Sequence, residues 1–124
     1  MIIGIGSDIV SIDHVGNCYK KQSWAFVHRI LGKLELDYFA QISDNRAMSV
    51  SYLARRFAAK EATLKALGIG MSSDLDLRDV QILNDFKGKP ELHIEKPGLY
   101  PHRAHVTITD NHRDVVAFVI LEKI

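Results

Sequence analysis

The sequence predicts an α+β domain, on three observations. The opening segment Ile2 to Val10 is rich in isoleucine and broken by Gly4 and Gly6, which favours a strand over a helix. Arg46 to Leu67 sustains helical spacing over the middle of the chain, and the C-terminal part alternates in the manner of two antiparallel hairpins. Strand, helices, then hairpins, with no repeating βαβ units, imply one long central helix packed on an antiparallel sheet, with short helices near the N-terminus.

In the opening strand, alternation places Gly4, Gly6, Asp8 and Val10 on one face and Ile3, Ile5 and Ile9 on the other. From Ser11 to about Ile42 the apolar spacing turns helical, as in Trp24, Val27, His28, Leu31 and then Leu36, Phe39, Ala40, and Gly32 marks a break. Two or three short helices are expected there. Ser43, Asp44 and Asn45 supply capping side chains for the long helix, which Gly68 ends. "DVQILND" and "ELHIE" form a hairpin around "KGKP", "KPGLYPHR" reads as a loop, and "AHVTITD" and "VVAFVILEK" form a second hairpin around "NHRD". The last strand is a near-continuous apolar run, so it is expected to be buried on both faces.

At 124 residues the chain is expected to be a single domain, 1–124, small for housing a complete active site alone, which leaves oligomerisation open. A formal net charge of +1 gives no global field to recruit nucleic acid or membrane, so any charge-guided partner must meet a local patch. The single cysteine, Cys18, cannot form an internal disulfide and fits a reducing, cytoplasmic setting. Nothing at the N-terminus resembles a signal peptide, and no stretch approaches the roughly 20 apolar residues that span a bilayer.

Chemistry concentrates in "RRFAAKEATLKALGIG", Arg55 to Gly70, where Lys60, Glu61 and Lys65 stand among core-like residues. At about 100° per residue, Val50, Leu53, Phe57, Leu64 and Gly68 share a stripe with Glu61 near its centre and Lys65 at its edge, so Glu61 is expected to point inward. Ala58, Ala59, Ala62 and Ala66 lie opposite and permit close approach of a second element. Glu61 and Lys65 also fit a solvated i,i+4 ion pair. An inward carboxylate needs a cation or several donors, however, and Asp8 is the acid best placed to converge with it. Gly4 and Gly6 would leave a hollow beside Asp8, although Asp8 could instead cap the following helix. Together Asp8 and Glu61 offer two hard oxygen ligands for Mg²⁺, with Lys65 one turn along to meet a substrate phosphate.

Other readings are weaker. "GIGSDI" has Ile9 where a dinucleotide fingerprint needs its third glycine. His102 and His105 lack further ligands at zinc spacing, and Cys18 has no adjacent base. No G-x-S-x-G elbow is present.

"GIGSDIV" near the N-terminus paired with "RRFAAKEATLKALGIG" half a chain later resembles the two signatures of the holo-[acyl-carrier-protein] synthases, a family of 4'-phosphopantetheinyl transferases. The similarity extends through "RILGKLEL", the "GKP" turn and the closing "HVTITD … VVAFVILEK" pattern. The resemblance implies the 4'-phosphopantetheinyl transferase fold and an enzyme that moves 4'-phosphopantetheine from coenzyme A to a serine of apo acyl carrier protein in fatty acid biosynthesis. It further implies adenosine 3',5'-bisphosphate as the other product and a requirement for Mg²⁺. It implies Asp8 and Glu61 as metal ligands, Lys65 as the contact to the reacting phosphate, and Gly68 and Arg56 beside coenzyme A. Asp8, directly or through a metal-bound water, would accept the serine proton. Relatives of this length are homotrimers with active sites between protomers. Where many relatives carry Ser-His in the penultimate strand, this chain has Thr109 and Asp110, so a histidine role is not carried over. A non-catalytic module that binds coenzyme A or carrier protein is the alternative reading.

The carrier protein would meet the first helical region. His14 to Leu34 contains Lys20, Lys21, Arg29 and Lys33 and no acidic residue, a local complement to an acidic helix. His14, Lys20, Lys21 and Arg29 are the expected partner contacts.

Overall fold

Strand β1 spans Ile2–Ser11 and enters helix α1, Ile12–Gln22, through a cap that Ser11 supplies by accepting from the His14 N–H. That cap replaces the alternative of Asp8 in the same role. Helices α2, Trp24–Ile30, and α3, Lys33–Ile42, follow, with Ser23 at φ 52° turning the chain between α1 and α2. In this computed structural model residues 1–69, 75–94 and 102–124 are described. The expected loop 96–103 falls mostly outside them, and its last two residues, His102 and Arg103, already belong to a strand.

Helix α4 runs Arg46–Leu67, as its capping signals predict: Asn45 accepts from the Met48 N–H at 3.1 Å, and Gly68 leaves the helix at φ 75°. A 3₁₀ turn, Leu77–Asp79, precedes the hairpin of β2, Val80–Asn84, and β3, Pro90–Ile94. The second hairpin pairs β4, His102–Asp110, with β5, Asp114–Lys123. β1 joins β5 on its other side, which gives a three-stranded antiparallel sheet of order β1-β5-β4 beside the separate β2-β3 sheet.

α4 lies between the three-stranded sheet and the short helices. The inner face of β5 contributes Val115, Ala117, Val119 and Leu121, all buried, and Phe39, Ile30 and Leu31 close the helical side. The glycine face of β1 meets α4 so closely that a Cβ at Gly4 would sit 2.0 Å from the Ala66 carbonyl oxygen, and one at Gly6 2.0 Å from that of Ala62. The anticipated hollow beside Asp8 is therefore filled by helix backbone: the glycines admit α4 and leave no ligand space behind them.

β5 departs from expectation in one respect. Its inner face is buried, but Val116 and Phe118 are 37% and 40% exposed, so the strand is not covered on both sides. With Ile5 and Ile9 of β1, which are more exposed still, they form an apolar outer face of the sheet. No described helix is long and apolar enough to cross a membrane.

Candidate active site

The contact of β1 with α4 assembles the site. Ala62 and Ala66 seat against Gly6 and Gly4, and each is preceded in sequence by a candidate site residue, so Glu61 and Lys65 run along one edge of that contact. Asp8, on the same face of β1 as Gly4 and Gly6, opens onto the same edge. The Lys65 ammonium donates to Asp8 Oδ1 at 3.0 Å and to the Ser7 carbonyl oxygen at 2.9 Å. Lys65 thus reaches across to the strand instead of closing an i,i+4 pair with Glu61. Its side chain is 56% exposed and that of Asp8 17%, so the cation sits at the mouth and the acid deeper in.

Glu61 is half-buried and close enough to Asp8 and Lys65 for its carboxyl to feel both charges. Partial burial pushes its carboxyl above the usual glutamate value, the negative charge of Asp8 pushes it further, and Lys65 only partly opposes them. The two carboxylates therefore repel each other with one exposed ammonium to compensate. Such a pair favours a cation.

Gly68 follows Lys65 by three residues as the C-cap of α4, where its left-handed backbone favours glycine. Its N–H already donates to the Lys65 carbonyl at 3.1 Å, and a Cβ there would meet nothing within 4 Å. It offers room at the helix end, not a free donor.

The structure does not bring Arg56, the other residue expected beside coenzyme A, to this group. Arg56 is 4% exposed, its guanidinium lies 4.6 Å from the Tyr52 ring, and its Nε is 3.9 Å from a Glu35 carboxylate oxygen. Five residues from Glu61, it projects from a different side of α4. Its charge is engaged in the interior.

Sequence reasoning missed what surrounds Arg56. Glu35 and Lys60 are fully buried and joined at 2.5 Å, the least expected pair in the molecule. The available signal was Lys60 itself, a lysine set among residues of core character. Its partner lies 25 residues away on α3, beyond the reach of local spacing rules.

The basic segment is exposed as anticipated. His14, Lys20 and Lys21 project from α1, and Arg29 from α2, where it donates to Gln22 and lies over the Phe26 ring. Cys18 is not without a neighbouring imidazole: its Sγ is 3.8 Å from His14 Nε2. Asp110 faces Arg55 of α4 at 3.5 Å, both part-exposed. His105 pairs with Glu122 at 2.5 Å, and among the described residues no three His, Cys, Asp or Glu converge on a metal position.

Fold and site together define a class: an α+β domain in which an acid pair and an exposed ammonium, set where the central helix meets a strand, suit a phosphate-bearing substrate. Comparison with known proteins makes the class particular. Residues 4–119 match the model of the 4'-phosphopantetheinyl transferase superfamily, and the chain belongs to that family. It is 40% identical to the holo-[acyl-carrier-protein] synthase of Methylibium petroleiphilum, over 98% of this chain and 97% of that one. Among solved structures it is similar to the holo-[acyl-carrier-protein] synthase of Neisseria meningitidis, with TM-score 0.86, 39% identity, and coverage of 99% of this chain and 100% of that one. The holo-(acyl-carrier-protein) synthase of Bacillus anthracis in complex with CoA (3',5'-ADP) aligns with TM-score 0.87 and 32% identity, over 100% of this chain and 99% of the other.

Proposed function

We propose that this chain is a holo-[acyl-carrier-protein] synthase, which transfers 4'-phosphopantetheine from coenzyme A to a serine of apo acyl carrier protein and releases adenosine 3',5'-bisphosphate. The observation that carries the reading is the meeting of Asp8, Glu61 and Lys65 at one edge of the β1–α4 contact, in a chain that matches holo-[acyl-carrier-protein] synthases from end to end.

The donor set fits Mg²⁺. Two carboxylates, one of them raised by burial and by the other's charge, are the usual protein share of an ion that completes its shell with water and phosphate. A site furnished wholly by protein groups would need ligands that do not converge here among the described residues. When bound, the ion would neutralise charge on the pyrophosphate.

The chain's own groups do the rest. Lys65, exposed and held among the described residues by Asp8 and the Ser7 carbonyl, can turn from them to a phosphate oxygen and steady the charge that moves to the leaving bisphosphate. That movement frees Asp8 to accept the proton of the carrier serine as its oxygen bonds to the β-phosphorus and the bond to adenosine 3',5'-bisphosphate breaks. Glu61 supplies the second negative charge, and Gly68 keeps the end of α4 clear for the substrate.

The carrier protein docks on the exposed face of α1 and α2 that carries the cations Lys20, Lys21 and Arg29 together with His14, so association weakens with salt. The apolar outer face of the sheet, formed by Ile5, Ile9, Val116 and Phe118, is the surface through which the single-domain chain, 1–124, forms a homotrimer with active sites between protomers. The setting is cytoplasmic fatty acid biosynthesis.

Chromatography of adenosine 3',5'-bisphosphate released from coenzyme A and apo acyl carrier protein tests the metal assignment. Release should stop on chelation and return with Mg²⁺; release undiminished by chelator contradicts it.

A further inference from the structure

We propose that the buried Glu35–Lys60 ion pair is the positioning device of the acid pair: it fixes the rotation and register of α4 so that Glu61 faces Asp8. The inference rests on the metal-site reading above and names residues that the reading does not use.

One Glu35 oxygen accepts from Lys60 Nζ at 2.5 Å and from the Gly32 N–H at 2.9 Å; the other accepts from the Ile82 N–H at 3.0 Å and faces Arg56 Nε at 3.9 Å. Lys60 donates also to the Leu77 carbonyl oxygen at 3.0 Å. One residue of α4 is thereby tied to the start of α3, to the 3₁₀ turn and, through Glu35, to β2. Arg56, one turn earlier, adds a longer contact to Asn84 of β2 at 3.4 Å, so this side of the helix is held by directed contacts to three elements.

Stability alone does not account for the arrangement. Desolvating two charges is costly, and buried ion pairs exchanged for apolar residues of similar volume often leave a protein equally or more stable. Apolar packing lacks the direction of a charged hydrogen bond, and direction is what this helix needs. Its contact with β1 is made by small residues, Ala62 and Ala66 against Gly6 and Gly4, with Ala58 and Ala59 also buried nearby. Alanines present nearly alike surfaces, so that seam is a weak guide against a helix turned or slid along it. A shift of one residue moves a side chain by about 1.5 Å along the axis and about 100° around it, enough to take Glu61 away from Asp8. Lys60 immediately precedes Glu61, so anchoring one sets the bearing of the other.

Lys60→Met and the charge-free double variant Lys60→Met/Glu35→Gln test this. In Lys60→Met, Arg56 still faces Glu35, so this variant keeps the test available if the double variant does not fold. The readouts are the thermal midpoint, Mn²⁺ binding by electron paramagnetic resonance with coenzyme A present, and transfer rate against Mg²⁺ and coenzyme A. Folded variants should need about tenfold more Mn²⁺ for half-saturation. Their KM for coenzyme A should move far less. Wild-type Mn²⁺ affinity in a folded variant, whatever its thermal midpoint, would show that the pair is only structural. A wild-type protein that binds no Mn²⁺ and transfers in chelator would overturn the metal reading, and this inference with it.

Discussion

Asp8, Glu61 and Lys65 divide one small site into a deep acid, a half-buried acid and an exposed cation, and each position has a consequence. Because Glu61 is raised in the folded state, the folded chain holds its proton to higher pH than the unfolded chain does. Its ionisation therefore removes stability as pH rises from the unfolded glutamate value through the folded one, and above both the loss is complete. Glu61→Gln should accordingly melt higher than wild type at neutral pH without metal, with the gain disappearing below about pH 4, while transfer falls roughly 10²-fold. Thermal melts in chelator across that range check the first part and rate assays the second. Lys65→Ala should lose a similar factor in rate but only about 0–1 kcal/mol in stability, since its ion pair with Asp8 is exposed on the lysine side; denaturant unfolding measures that difference. Periodicity alone placed Asp8 on the glycine face of β1 and Glu61 on the inner stripe of α4, while their roles came from the family resemblance. The partner of Lys65 was not legible, because an i,i+4 glutamate competes on paper with an aspartate that only the fold brings near. Lys60 was harder still, since lysine is ordinarily exposed and nothing local points from it to Glu35.

Elements follow their local signals closely where the signals are caps, and less closely where burial depends on neighbours. Asn45 and Gly68 bound α4 as the sequence predicts, and both hairpins form where alternation and turn residues put them. Gly4 and Gly6 leave room on one face of β1, but whether a ligand or a backbone fills it is not encoded in the strand itself. The answer lies in Ala62 and Ala66, half a chain away. Gly6→Ala should therefore be severe: its Cβ would lie 2.0 Å from the Ala62 oxygen and 2.7 Å from the Ala66 nitrogen, both backbone atoms. A loss of about 3 kcal/mol or more is expected in denaturant unfolding, with the site disrupted as β1 and α4 separate. Gly16→Ala serves as the contrast, because a Cβ there meets only the Val50 side chain at 3.5 Å and should stabilise α1 by about 0.4–1 kcal/mol.

At the scale of the molecule, the outer face of the sheet explains why a strand that reads as doubly buried is covered on one side only. Hydropathy records what a strand ends up against, so under the proposed assembly β5 would answer to another copy of the chain as well as to the core. Ile5, 61% exposed and outside the core, separates the two: wild type should scatter light as a trimer, whereas Ile5→Glu should leave the fold intact and yield monomers. A monomeric wild type at micromolar concentration would contradict the assembly. The central claim is the transfer itself, and the intact mass of acyl carrier protein reads it most directly. Apo carrier incubated with this protein, coenzyme A and Mg²⁺ should gain the mass of one phosphopantetheinyl group, and the gain should be strongly reduced with Glu61→Gln. A carrier mass left unchanged by folded wild-type protein would contradict the account.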